Sequence, residues 1–84
     1  MFKSVKLLEG FHITATEKRN FLYVLNQNKP EYLNQKITVN RMVFLIEPLG
    51  NNEYKLTKFE KYFSFLQNRY TVKEWKYKLK VKEG

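Results

Sequence analysis

The chain has 84 residues, 43% hydrophobic and 17% aromatic, the scale of a single domain spanning 1–84 with enough large side chains for one core without metal or disulfide support. It has no cysteine, which excludes disulfides, thiolate metal sites and cysteine nucleophiles and favours a reducing compartment, so the expected location is cytoplasmic. Sixteen Lys and Arg against eight acids leave a net charge of +8, with +3 from residues 1–52 and +5 from residues 53–84, a field that draws phosphates or acidic protein surfaces.

The opening segment Met1–Glu9 interleaves charged and apolar residues, so neither a secretory leader nor a membrane span is expected there. Lys3–Leu8 either extends the following strand through a bulge or pairs with it across Glu9-Gly10. In that following segment Phe11, Ile13 and Ala15 alternate with His12, Thr14 and Thr16, the period-two pattern of a half-buried strand. Thr14-Ala15-Thr16-Glu17 has the S/T-x-x-E form of a helix cap, and predicts a helix over about 17–28 with Phe21, Leu22, Val24 and Leu25 on its buried face and Pro30 beyond its end.

From Lys36 to Ile46 the sequence alternates and then becomes continuously apolar, which predicts a central strand ended by Pro48. A turn at Leu49–Asn52 and a short returning strand at Glu53–Leu56 follow. Thr57-Lys58-Phe59-Glu60 repeats the capping pattern, and at about 100° per residue Phe59, Tyr62, Phe63, Leu66 and Tyr70 gather into one stripe, predicting a second, core-facing helix. In Trp75-Lys76-Tyr77-Lys78-Leu79-Lys80-Val81-Lys82 every apolar residue is followed by lysine, the pattern of a strand with its lysines on one face. A third helix capped at Thr71 would leave Tyr77 among lysines.

The order β-α-β-β-α-β predicts an α+β fold, a four-stranded antiparallel sheet with two helices on one face, ferredoxin-like in outline; a winged-helix-like packing is the alternative.

The residue inventory argues against catalysis. There is no Asp, the Glu residues are dispersed, Ser4 and Ser64 are the only serines, and His12 is the only histidine and has no local partner to orient it. Glycines for a phosphate cradle are absent, since Gly10, Gly50 and Gly84 stand alone, and no metal or cofactor site is expected. The central strand lacks the glycines and spaced aromatics of an RNA-recognition sheet.

What remains is charge and aromatic surface. Lys76, Lys78, Lys80 and Lys82 would stand about 6.6–6.8 Å apart along one strand face, close to the spacing of successive phosphates. Lysines on an edge strand also serve to prevent edge-to-edge pairing. On the predicted second helix Phe65 falls outside the apolar stripe among Lys58, Lys61 and Arg69, an anchor for a base or a protein partner; Tyr23 near Arg19 repeats the arrangement faintly. The leading expectation is a basic nucleic-acid-binding module without enzymatic activity, acting on DNA or RNA through Lys58, Lys61, Arg69 and the four-lysine ladder. The alternative is an accessory subunit or inhibitor, of phage or mobile-element type, whose basic face meets an acidic surface of a larger nucleic-acid-processing protein. A metal-independent endoribonuclease toxin using His12 with Lys, Arg and Tyr is third.

Overall fold

β-branched and aromatic residues recur through the second half of the chain, from Val43 to Val81, and most of that half forms strands. The computed structural model describes all residues from Met1 to Gly84. In order these are β1 (Phe2–Glu9), α1 (Ala15–Asn26), a 3-10 turn (Pro30–Tyr32), β2 (Lys36–Val39), β3 (Met42–Gly50), β4 (Glu53–Ser64) and β5 (Arg69–Glu83). The strands make one five-stranded antiparallel sheet in the order β1-β5-β4-β3-β2, with α1 on one face.

The helix is capped at Thr14 as the S/T-x-x-E pattern predicts, and it starts at Ala15, two residues before the expected 17. The Thr14 hydroxyl accepts the Glu17 backbone N–H at 3.1 Å, and the Glu17 carboxylate accepts the Thr14 N–H at 2.8 Å, so each end of the box satisfies a free donor. Phe21 and Val24 are buried against Phe44, Ile46, Leu56, Tyr77, Leu79 and Val81. Phe21 meets the Tyr54 ring edge-on at 5.8 Å. At the far end Asn26 clasps the first residue of β1, accepting the Phe2 N–H at 2.9 Å and donating to its carbonyl at 3.0 Å. No helix is long and apolar enough to cross a membrane.

Asparagine makes the turns. Seven non-glycine residues have positive φ, and six of them are Asn. Asn tolerates the left-handed region better than other residues with a Cβ. The β2–β3 loop is Asn40-Arg41 (φ 47° and 68°) and the β3–β4 loop is Asn51-Asn52 (φ 54° and 60°). Both are two-residue hairpin turns with positive φ at both centres, the form whose twist matches that of the flanking strands. After β1, Gly10 (φ 130°) carries the chain so close over Tyr77 that a Cβ would lie 2.7 Å from the ring.

Four expectations are overturned. The ferredoxin-like sheet with two helices is not formed, nor is a winged-helix packing, because residues 57–70 are strand and turn rather than helix. The stripe Phe59, Tyr62, Phe63, Leu66 and Tyr70 has helical spacing, yet Tyr62, Leu66 and Tyr70 are exposed and Phe59 and Phe63 are half-buried. Twelve consecutive cross-strand pairs with β5, from Glu53↔Lys80 to Ser64↔Arg69, outweigh a local capping pattern at Thr57.

Phe11–Thr14 is loop, not strand, and the partner of β1 is the C-terminal half of β5. The predicted central strand over 36–46 is broken at Asn40-Arg41 into β2 and β3. Pro48 does not end β3, which continues to Gly50; the last β2–β3 pair is Lys36↔Leu45, so at Pro48 that side of β3 is a free edge where its missing N–H is tolerated. The predicted C-terminal strand is present and longer than expected, running from Arg69 to Glu83.

Candidate nucleic-acid interface

The alternation along β5 sorts its side chains cleanly. Trp75, Tyr77, Leu79 and Val81 point toward the helix, and Lys76, Lys78, Lys80 and Lys82 point to the opposite, uncovered face. Cross-strand register extends this basic face: Lys6 of β1 stands opposite Lys80, and Lys55 of β4 opposite Lys78. Lys36 of β2 and Lys61 of β4 share it by strand parity. Glu9, Glu47, Glu53 and Glu74 lie there too, so eight lysines face four glutamates, and half of the net charge of +8 belongs to this surface.

Only one ion pair neutralises the face, Lys78 to Glu53 at 3.5 Å. Like charges set directly opposite each other destabilise a sheet, and Lys6–Lys80 and Lys55–Lys78 are such pairs. Two hollows break the surface. One of about 170 Å³ lies by Lys55, Lys76 and Lys78, and one of about 490 Å³ lies by Lys6, Lys80 and Lys82.

Edge protection does not account for the whole ladder. The sheet edges are β1 and β2, whereas Lys78 and Lys80 stand where β5 is flanked by β1 on one side and β4 on the other; Lys76 pairs with β4 alone and Lys82 with β1 alone. Beyond Phe59 and before Lys78 the pairing to β3 and β1 stops, and the β4–β5 hairpin continues alone as a two-stranded arm spanning 60–73, closed by the turn at 65–68. It gives the molecule its longest dimension of 46 Å.

Lys58, expected among the phosphate contacts, faces the helix. Its ammonium contacts the Glu17 carboxylate, with Glu60 3.6 Å away, and both Glu17 and Lys58 are largely withdrawn from solvent. Burial alone would raise the Glu17 pKa, but hydrogen bonds from Lys58 and Thr14 outweigh it and hold the carboxyl below its ordinary value. Burial likewise works to lower Lys58, and its contact with Glu17 reverses that to a net rise. Tyr77 is pushed up by burial and by the nearby Glu17 charge. The Trp75 indole lies between Lys73, 4.0 Å from the ring centre, and Lys58, at 5.7 Å, with its buried N–H unpaired.

Arg69, at the start of β5, pairs opposite Ser64 on the helix-side parity and donates to Gln67 at 3.1 Å. Lys61 lies on the lysine face, 4.8 Å from the Tyr70 ring centre. Phe65 is not on a helix but in the arm's turn, 88% exposed. Tyr23 and Arg19 lie on the exposed side of α1, Tyr23 at the rim of an apolar hollow of about 240 Å³ with Tyr32, Ile37 and Val39. That volume is below the usual range of small-molecule sites. His12 is exposed in the β1–α1 loop.

The structure thus brings Lys61, Lys76, Lys78, Lys80 and Lys82 onto one face and separates Lys58 and Arg69 from them. Lys6 and Lys55 escaped the sequence reading. Each sits between two apolar neighbours, Val5 and Leu7 or Tyr54 and Leu56, so the period-two pattern that exposed the ladder marks them as well. No protein-family model, curated protein or solved structure matches the chain.

Proposed function

We propose that this protein is a non-enzymatic nucleic-acid-binding module that lays a phosphate backbone across the uncovered face of its sheet. The observation that carries the reading is the set of lysines on adjacent strands, with Lys6 against Lys80 and Lys55 against Lys78, of which Lys55, Lys78 and Lys80 stand on interior strands where edge protection is not needed. Polyanion binding relieves the repulsion that folding creates there, and Lys76 and Lys82 extend the contact along β5. Tyr77, Leu79 and Val81 beneath them are buried, so the amines project from a rigid strand.

Contacts to about five phosphates give a slope of log affinity against log salt near −4 to −5 on duplex DNA, and nearer −3.5 on a single strand. Fluorescence anisotropy with labelled oligonucleotides measures both. Replacing Lys76, Lys78, Lys80 and Lys82 together by Gln is expected to flatten the duplex slope by about three to four units. Lys29→Gln, on the helix side of the molecule, leaves it within about one unit. Equal slopes for the two variants, or no binding at low salt, would remove the proposal. The reading in which the same face meets an acidic protein surface is separated by nuclease: capture of a partner that survives complete nucleic-acid digestion supports that reading instead.

A further inference from the structure

We propose that the ligand is a single strand, held by its phosphates on the lysines of β5 and by unpaired bases stacked on the aromatic tip of the β4–β5 arm. This rests on the nucleic-acid reading above and adds the strandedness of the ligand. By strand parity Tyr70 and Val72 lie on the same face as Lys76, Lys78, Lys80 and Lys82. Phe63, opposite Tyr70, and Lys61, opposite Val72, join them. One face therefore runs from rings at the tip to amines at the base, about 40 Å from Tyr70 to Lys82, interrupted by the Glu74 carboxylate between Val72 and Lys76.

The rings are arranged as a supported platform. Phe63 is half-buried and meets Phe65 at 5.1 Å and Tyr70 at 5.3 Å, both edge to face. Phe65 and Tyr70 remain 88% and 65% exposed, and Leu66 beside them is fully exposed. The Lys61 ammonium lies over the Tyr70 ring, 4.8 Å from its centre, so the Phe65 ring is the freer stacking surface. Aromatic faces next to a positive track are the combination that binds single strands without sequence preference.

A duplex fits this surface poorly. The arm is two strands wide and would enter a major groove of about 12 Å, but base edges there present donors and acceptors that call for Arg, Asn or Gln. Gln67, Asn68 and Arg69 at the turn are such groups, but Arg69 has the opposite strand parity and is bonded to Gln67, and the face that continues the lysines shows Phe63, Tyr70 and Val72. Paired bases keep their faces stacked on one another and offer the rings nothing.

The test compares three probes at one low salt concentration by fluorescence anisotropy: a thymidine dodecamer, an abasic dodecamer with the same phosphates, and the dodecamer annealed to its complement. The intact chain is expected to bind the thymidine strand at least about tenfold more tightly than the abasic one. Phe65→Ala or Tyr70→Ala should lower thymidine-strand affinity by about fivefold to a hundredfold while leaving abasic-strand affinity within about twofold. Thermal melting of both variants should match the parent, since neither ring is in the core, and Phe65→Ala keeps the cross-strand Phe63–Tyr70 contact that helps hold the arm.

Equal affinity for thymidine and abasic strands overturns the stacking proposal and leaves the lysine reading intact. No binding to any probe removes both. Preference for the duplex, lost in Phe65→Ala, replaces stacking with groove insertion. A Phe65→Ala change in sedimentation from dimer to monomer, with thymidine affinity unchanged, reassigns the tip to contact with a second copy. Tighter binding to phosphatidylserine vesicles than to the thymidine strand, abolished by Phe65→Ala, reassigns it to a lipid surface.

Discussion

The two halves of the β4–β5 hairpin share strands and a continuous ladder but live in different environments. At the base, Leu56, Tyr77, Leu79 and Val81 are buried under α1, and β1 and β3 flank the pair. In the arm no residue from 60 to 73 is buried, and no third strand is present. An isolated two-stranded hairpin is at best marginally stable in water, so the arm is held by continuity with the base and by its cross-strand rings. The base supplies stability, and the arm presents side chains whose exposure stability alone does not explain.

The largest test of that division is one chemical change made at both ends. Leu79→Ala removes a fully buried side chain and is expected to cost about 2–5 kcal/mol. Leu66→Ala at the tip is expected to change stability by no more than about 0.5 kcal/mol. Urea unfolding measures both, and comparable losses would mean that the arm is part of the core.

The ion pair under the helix sharpens the contrast further. Lys58→Ala strands the Glu17 carboxylate in a largely buried site and should destabilise the protein by about 3 kcal/mol, the low end for a broken buried pair because Lys58 keeps partial solvent contact. The pH dependence follows from the same contact. Glu17 is depressed in the folded state, so its contribution is present above its ordinary value of 4.5 and is lost as pH falls through the lower folded value. Lys58 is raised, so its contribution is complete below 10.5 and is lost as pH rises through its folded value. Thermal melts from pH 6 down to pH 3 should therefore show an acid loss that Glu17→Gln blunts; an unchanged acid limb in that variant would exclude the pair as its source.

The smallest effects belong to the turns. Arg41 sits at φ 68° without a side-chain hydrogen bond to offset the strain, so Arg41→Gly is expected to raise stability by about 0.5–1 kcal/mol. Asn68→Gly makes the analogous change in the arm turn (φ 50°), where it should leave global stability within about 0.3 kcal/mol. Equal gains would show that closing the arm contributes to the global fold.

Much of the candidate site was legible before the fold was. The alternation from Trp75 to Lys82 requires lysines on one side of a strand whatever that strand pairs with, because successive side chains leave a pleated backbone in opposite directions. The Thr14–Glu17 cap was equally local, since its partners lie within one helical turn. Residues 57–70 are different: a capping pattern at Thr57 and aromatic spacing near 3.6 agree with a helix, and only pairing to Arg69–Glu83 makes them a strand. Asn51 and Asn52 fall in the turn expected at Leu49–Asn52, whereas Asn40 and Asn68 tolerate positive φ inside stretches whose apolar pattern points to an unbroken strand and to a helix.

Local chemistry thus determined which side chains alternate, where the helix begins and how strongly positive the chain is. Tertiary structure decided that β5 lies inside the sheet, that Lys58 turns to Glu17 while Lys6 and Lys55 join the ladder, and that the hairpin outruns its neighbours to expose its rings. Those outcomes depend on strands far apart in sequence finding one another, and no short window contains both partners of such a pair.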